Sequence, residues 1–257
     1  MEEIKIPKYG YEYPRPAVTT DCVIFGFDLR RADLQILLIE RGIEPFQGRW
    51  ALPGGFIRIE SKTNSAGLVE EEKNESLIEC ALRELREETG LGINYIQEIG
   101  TFSNFGRDPR GVIITDAYFA LVNIQNVRGG DDARRAEWFS LKKVLADIEE
   151  GKQHLAFDHD EILKKAFRAL KEELYFRPIG FDLLPMQFSM SELQHLYEAI
   201  TGRKFDRRNF ARKMLEIGIL DQIPSDVPAT RRTPTLYRFN KARYDEFKSS
   251  DRPRMEF

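Results

Sequence analysis

A chain of 257 residues has room for more than one compact core, and its 42% hydrophobic and 32% charged residues describe an ordinary globular protein. The net charge of −3 is too small to assign the whole chain to a polyanion or a membrane surface, so such partners must be read from local charge. No apolar run approaches the roughly 18 residues of a membrane-spanning helix, and MEEIKIPKYGYEYPRP lacks a secretory apolar stretch; a cytoplasmic protein without a membrane partner is expected.

The first fifteen or so residues, rich in Tyr and Pro, read as an extended arm. Residues 17–27 (AVTTDCVIFGF) and 34–39 (LQILLI) read as strands separated by the polar turn DLRRAD. Cys22 and Cys80 both lie in apolar-patterned stretches and are expected as buried, reduced thiols. A loop, ERGIEPFQGRW, leads to ALPGGF and a long polar stretch, IESKTNSAGLVEEEKN. The pattern then predicts a helix over 75–89, strands over 95–102, 112–122 and 136–139, and a closing helix over 158–174. The two prolines of 176–185 (FRPIGFDLLP) read as a linker, giving domains of 1–176 and 177–257. Ser189 and Glu192 form a capping box that opens a helix through ELQHLYEAI, which Gly202 ends. A second helix over 207–217 and a hairpin-like tail ending in TLYRFN complete this domain.

On the first of these helices Glu84, Glu87 and Glu88 are spaced i, i+3 and i+4, so their carboxylates share one face. Ile78, Leu82 and Leu85 form an apolar stripe beside them, and Gly90 can take the left-handed conformation that ends the helix. Clustered carboxylates suit a hard divalent cation, Mg²⁺ or Mn²⁺, that shares its coordination with substrate phosphates. Taken alone, the three glutamates also fit a solvated acidic face. The glycine-rich run from Leu52 to Phe56 permits the close backbone approach that a ligand site needs.

Together these residues resemble the signature of the Nudix family, Gly-x5-Glu-x7-Arg-Glu-apolar-x-Glu-Glu-x-Gly-apolar, with Gly55, Glu75, Arg83 and Gly90 as anchors. Between Gly55 and Glu75 lie 19 residues instead of five, an insertion of 14, expected within 60–73 as a protruding loop. The resemblance implies a mixed-sheet α/β/α sandwich. It makes Glu84, Glu87, Glu88 and the Gly55 carbonyl metal ligands, with Glu84, Glu88 and Arg83 catalytic. Glu84 would also activate water, and Arg83 would orient the carboxylates by bidentate pairing. Glu75 is more often structural in this role. Further stretches, among them LIER, PF, GRW, GRDPRG and LAFDHD, resemble the branch that handles ADP-ribose and includes the NrtR-type regulators of NAD metabolism. Arg41, Arg107, Asp108 and Arg110 are then candidate substrate contacts, the arginines toward phosphate, and Phe46 could stack on adenine. Each arginine could equally make a loop salt bridge, and His159 is better read as capping or packing at a helix start.

The segment GRKFDRRNFARK, 202–213, holds six basic residues against one acid, with Phe210, Met214 and Ile217 on an apolar side. A helix packed by one face and basic on the other can enter a DNA groove. Arg207, Arg208, Asn209, Arg212 and Lys213 are its candidate DNA contacts, with Arg231 and Arg232 in a wing. This region resembles the C-terminal winged helix-turn-helix of NrtR-like proteins, a small α+β domain. The Gly-Arg-Pro-Ala that often precedes Leu-Tyr in that family is replaced here by Arg232-Thr233-Pro234-Thr235. The resemblance implies a homodimeric regulator binding an ADP-ribose-like nucleotide and double-stranded DNA, with hydrolysis retained by the intact signature. A plain ADP-ribose pyrophosphatase and a sugar-responsive repressor of a related branch are the alternatives.

Overall fold

The structure, a computed structural model, describes residues 14–63, 69–124, 133–224 and 233–249. Most of the expected N-terminal arm, together with Arg231 and Arg232, lies outside the described residues.

The spine of the molecule is β1 (Ala17–Asp28), which runs antiparallel to β2 (Asp33–Arg41) and parallel to β8 (Ile113–Leu121). Short strands β3 (Trp50–Ala51) and β4 (Gly54–Phe56) pair with β2 and β1, β7 (Tyr95–Phe102) pairs with β8, and β9 (Ala133–Ser140) pairs with β2. The result is a mixed seven-stranded sheet. Alternation along β1 divides the core: Val23, Phe25 and Phe27 face one layer, while Cys22 and Ile24 face the other. The first layer is covered by α2 (Leu141–Glu149) and α3 (His159–Phe176), the second by α1 (Leu77–Thr89). Both cysteines are buried and unbridged, and burial pushes the Cys80 thiol up to about 11.

The polar insertion is not a plain loop. Its ends form an antiparallel ribbon of β5 (Ile59–Thr63) and β6 (Val69–Asn74), with Ile59 opposite Asn74. A short polar ribbon has no apolar alternation to announce it. Helix α2 also goes beyond the sequence expectation, since nine residues without a side-chain cap give a weak signal.

The segment read as a linker is a packed seam. Ile179, Phe181, Leu183 and Leu184 are buried, and a 3-10 turn spans Phe181–Leu183. Beyond it come β10 (Phe188–Ser189), α4 (Met190–Thr201), α5 (Arg207–Glu216), β11 (Leu220–Gln222), β12 (Leu236–Phe239) and α6 (Lys241–Ser249). Strands β10, β12 and β11 form a three-stranded winged-helix sheet. The Phe181 ring stacks on Phe239 at 4.2 Å, so one apolar core continues from the large sheet into the second domain. Among the described residues no helix is long and apolar enough to cross a membrane.

Candidate active site and nucleic-acid interface

Helix α1 starts at a capping box, Ser76 with Glu79, and stops at Gly90, whose φ of 72° is left-handed. Its buried row is Ala81, Leu85 and Glu88, with Leu77 partly buried beside it. This corrects the expected stripe: Ile78 lies about 100° around the helix from Leu77 and is exposed, and Leu82 is half-buried.

Distance requires the first of the two glycines in front of α1 and brings the second against a flexible side chain. A Cβ on Gly54 would lie 2.2 Å from the Thr20 carbonyl oxygen, and one on Gly55 would lie 2.3 Å from Glu84 Oε1. That proximity lets the Gly54 N–H donate to Glu88 Oε2 at 2.9 Å. Gly55 therefore stands against the glutamate row despite the 14-residue insertion behind it.

Two arginines bridge the carboxylates. Arg83 donates to Glu75 at 2.9 Å, to Glu84 at 2.5 Å, to Glu87 at 3.1 Å and to the Phe56 carbonyl at 3.1 Å. Arg58, at the root of the β5–β6 ribbon, grips Glu87 with two bonds of 3.0 and 2.8 Å, while its N–H donates to Glu75 at 2.8 Å. The Arg83 bonds, aided by the Arg58 N–H, hold the Glu75 carboxyl down at about 2. Glu84 moves the other way, because burial outweighs the pull of Arg83. Glu84 is thus displaced toward the range of a proton acceptor.

Glu84, Glu87 and Glu88 border one cavity of about 540 Å³, within the size range of small-ligand sites. Glu84 and Glu87 are each held by an arginine and Glu88 by the Gly54 N–H, and among the described residues no three such side chains converge closely enough to hold a metal ion.

The lining also includes Asp21, Arg41, Arg107, Arg110, Phe157 and His159. Arg107 borders the cavity, but its fork is committed: it makes two bonds of 2.9 and 2.7 Å to Asp158 and lies 3.4 Å from Asp21. Asp108 accepts from the Arg110 guanidinium at 2.7–3.2 Å and from its N–H at 2.9 Å, so it orients Arg110. Burial would raise the Asp108 carboxyl, yet these bonds bring it below its ordinary value. Arg41 donates to the Pro45 carbonyl at 2.7 Å and lies over the Phe157 ring.

Phe46 does not line the cavity; its ring meets Phe157 edge-on at 4.9 Å, and Phe157 occupies the wall in its place. His159 packs as its sequence position suggested: it is buried, and its Nδ1 accepts the Leu52 N–H at 2.9 Å. Its Nε2 faces Asp21 at 3.5 Å. Burial works to raise the Asp21 carboxyl, but His159, Thr115 and Arg107 together bring it below its ordinary value. Sequence reasoning missed Arg58, Phe157, Asp21 and Asp158. Phe157 and Asp158 lay within the LAFDHD stretch that carries the family resemblance, whereas nothing marked Arg58 or Asp21.

In the second domain Asp206 caps α5, accepting from the Arg208 and Asn209 N–H groups at 3.1 and 2.9 Å. Phe210 and Met214 are buried, while Arg207, Arg208, Asn209 and Arg212 are exposed and Lys213 is half-covered. The turn from α4 to α5 is pinned by Glu198, which accepts from Gln194 at 2.9 Å, the Phe205 N–H at 3.0 Å and Lys204 at 2.6 Å. Burial acts to raise the Glu198 carboxyl, but these donors hold it down at about 2.

Two family models match the chain. The family model described as the NUDIX domain matches residues 15–164, and that of the NrtR DNA-binding winged helix domain matches 180–239. A protein of Acinetobacter baylyi named ADPR responsive transcriptional repressor NtrR is 35% identical over 91% of this chain and 86% of its own. An ADP-ribose pyrophosphatase of Methanocaldococcus jannaschii is 36% identical over 61% of this chain and 76% of its own. The crystal structure of Shewanella oneidensis NrtR complexed with a 27mer DNA superposes with a TM-score of 0.72 at 27% identity, covering 93% of this chain and 99% of that one.

Proposed function

Because the chain belongs to the Nudix family and carries an NrtR-type winged helix domain behind that fold, we propose that it is a DNA-binding regulator answering to ADP-ribose, with hydrolysis of that ligand retained. The observation that carries this reading is one cavity lined both by the intact row Glu84, Glu87 and Glu88 and by Arg41 and Arg110. Carboxylates and guanidinium groups lining one cavity suit a diphosphate bridged to a cation. The names of the A. baylyi and M. jannaschii relatives support ADP-ribose as the compound.

Glu84, Glu87, Glu88 and the Gly55 carbonyl would hold a divalent ion, Mg²⁺ or Mn²⁺, which when bound supplies charge neutralisation and a more acidic water. Arg83 keeps the glutamates at fixed spacing. Glu84, raised by burial, takes the proton of the attacking water, and Glu88 is fixed for its role by the Gly54 N–H. Arg110, oriented by Asp108, and Arg41 pair with phosphate oxygens, while Arg107 braces the wall through Asp158. Water adds across the P–O–P bridge to give AMP and ribose 5-phosphate. In the second domain Arg207, Arg208, Asn209, Arg212 and Lys213 present α5 to DNA. A two-fold homodimer is the assembly that would match a palindromic site. The domain boundary we propose is 176/177, a reading supported by the end of α3 at Phe176.

The test has two arms. Full-length protein with ADP-ribose and Mg²⁺ should release AMP, and Glu88→Gln should not; equal release by both would remove the hydrolase reading. A duplex from the promoter of its own gene should bind more tightly than random duplex, with ADP-ribose changing that affinity. Equal binding of both duplexes would leave a plain hydrolase.

A further inference from the structure

Arg58 stands at the root of the β5–β6 ribbon, and two bonds fix its backbone there. The Arg58 N–H donates to Glu75 Oε1 at 2.8 Å, and the Glu75 N–H donates to the Arg58 carbonyl at 3.2 Å. Glu75 is in turn clamped by Arg83 at 2.9 Å. Residue 58 is thereby tied to the start of α1 by its backbone, while its guanidinium is held through Glu87.

That hold is loose beside the one on Arg107. The Arg58 and Glu87 side chains are 59% and 41% exposed, whereas those of Arg107 and Asp158 are 4% and 12% exposed. Water screens an exposed pair, so parting it costs little, while breaking a buried one strands a charge away from water. Glu87 also keeps a second cation when the Arg58 fork leaves, since Arg83 donates to its Oε2 at 3.1 Å. Arg58 further stands where an anion would arrive. It lines the cavity together with Phe56 and Arg110, and the Arg110 guanidinium lies 5.0 Å from the centre of the Phe56 ring, two positions before Arg58. Its two terminal nitrogens donate side by side to Glu87 Oε1 and Oε2 at 3.0 and 2.8 Å. Parallel donors of this kind match two phosphate oxygens as well as two carboxylate oxygens. A diphosphate carries more negative charge than one carboxylate, so it competes for the fork on favourable terms.

We propose that Arg58 is a phosphate-binding residue of this cavity, and that the diphosphate of the ligand takes its fork over from Glu87. Arg107 and Arg58 then differ in role because they differ in burial: the first braces the cavity, the second changes partner. The insertion, through the residue at its root, becomes part of the ligand site. The proposal rests on the reading of this cavity as a nucleoside diphosphate site.

Calorimetric titration of the full chain with inorganic pyrophosphate tests it, first in EDTA, where only protein groups meet the anion. Arg58→Ala should weaken binding about threefold. Glu87→Gln removes the competing charge at unchanged length and should tighten binding about threefold. The double variant should bind as weakly as Arg58→Ala, because the gain from Glu87→Gln passes through Arg58. Unchanged affinity in Arg58→Ala overturns the proposal, and so does a gain from Glu87→Gln that survives in the double variant. Both substitutions fall on exposed side chains and spare the backbone bonds at 58, so the variants should fold. In saturating Mg²⁺, Arg58→Ala should again weaken pyrophosphate about threefold, whereas a residue that merely competed for Glu87 would leave it unchanged or tighten it. Either of those results overturns the proposal where binding is measurable only with Mg²⁺. A wild-type chain that binds no pyrophosphate in EDTA or in Mg²⁺ overturns the cavity reading, and the proposal with it.

Discussion

Arg58 and Arg83 divide the same glutamates between them, and their different exposure separates their effects. The Arg58–Glu87 pair is more than a third exposed on both sides, so the bond itself contributes about 1 kcal/mol or less. Its consequence is competition, since Glu87 cannot face Arg58 and a cation equally well. Arg58→Ala should tighten Mn²⁺ binding about threefold by electron paramagnetic titration, as expected from an exposed pair of that strength. Weaker binding would make Arg58 a supporter of the cation. Glu75 is the better-shielded partner, held at about 2 against an ordinary 4.5. A depressed carboxylate stabilises the fold above its unfolded value. That stabilisation, on the order of 2 kcal/mol, is lost as pH falls from about 4.5 towards 2. Glu75→Gln should therefore lower the melting temperature at pH 7 and flatten its decline over that window. Gly55→Ala places a methyl group against the far end of the Glu84 side chain, which can swing, so it should fold and yet lose AMP release.

Among the elements, helices with a capping signal were legible before the structure. Ser189 and Glu192 announce α4 because the box is written in four consecutive residues. The glutamate row on α1 was legible for a similar reason: three carboxylates at i, i+3 and i+4 need nothing beyond the helix itself. What joins elements distant in sequence was not legible. Arg107 reads as a phosphate contact until Asp158, 51 residues away, is seen to hold it. Phe46 and Phe157 are likewise 111 positions apart (157 − 46), and only the fold shows which ring faces the ligand. Helix α6, nine residues of mostly polar side chains, also lacked an apolar stripe to reveal it. Glu198 gives the element scale its own prediction. It pins the α4–α5 turn through three donors, so Glu198→Ala should unlock α5 without touching its basic face. The expected result is a lower melting temperature and weaker duplex binding with an unchanged salt slope. Arg208→Ala with Arg212→Ala should instead reduce that slope by about 2, because two fewer cations would then face phosphates.

For the whole molecule, the buried seam at Ile179, Phe181, Leu183 and Leu184 makes the winged domain part of the same apolar core as the large sheet. Thermal unfolding should show a single calorimetric transition, and residues 177–257 expressed alone should fail to melt cooperatively. The coupling between sites has a thermodynamic form: whatever factor ADP-ribose imposes on duplex affinity, the duplex must impose on ADP-ribose. Helix α3 gives that linkage a physical length. It begins beside the cavity, where Asp158 holds Arg107 and His159 holds Leu52, and ends at Arg177, next to the seam. Eighteen residues at about 1.5 Å each make a lever of about 27 Å, so a tilt of about 4° at the ligand end sweeps the far end through about 2 Å. A displacement of that size exceeds the spread of about 0.5 Å over which a hydrogen bond holds, so any such tilt would have to remake the contacts at the seam.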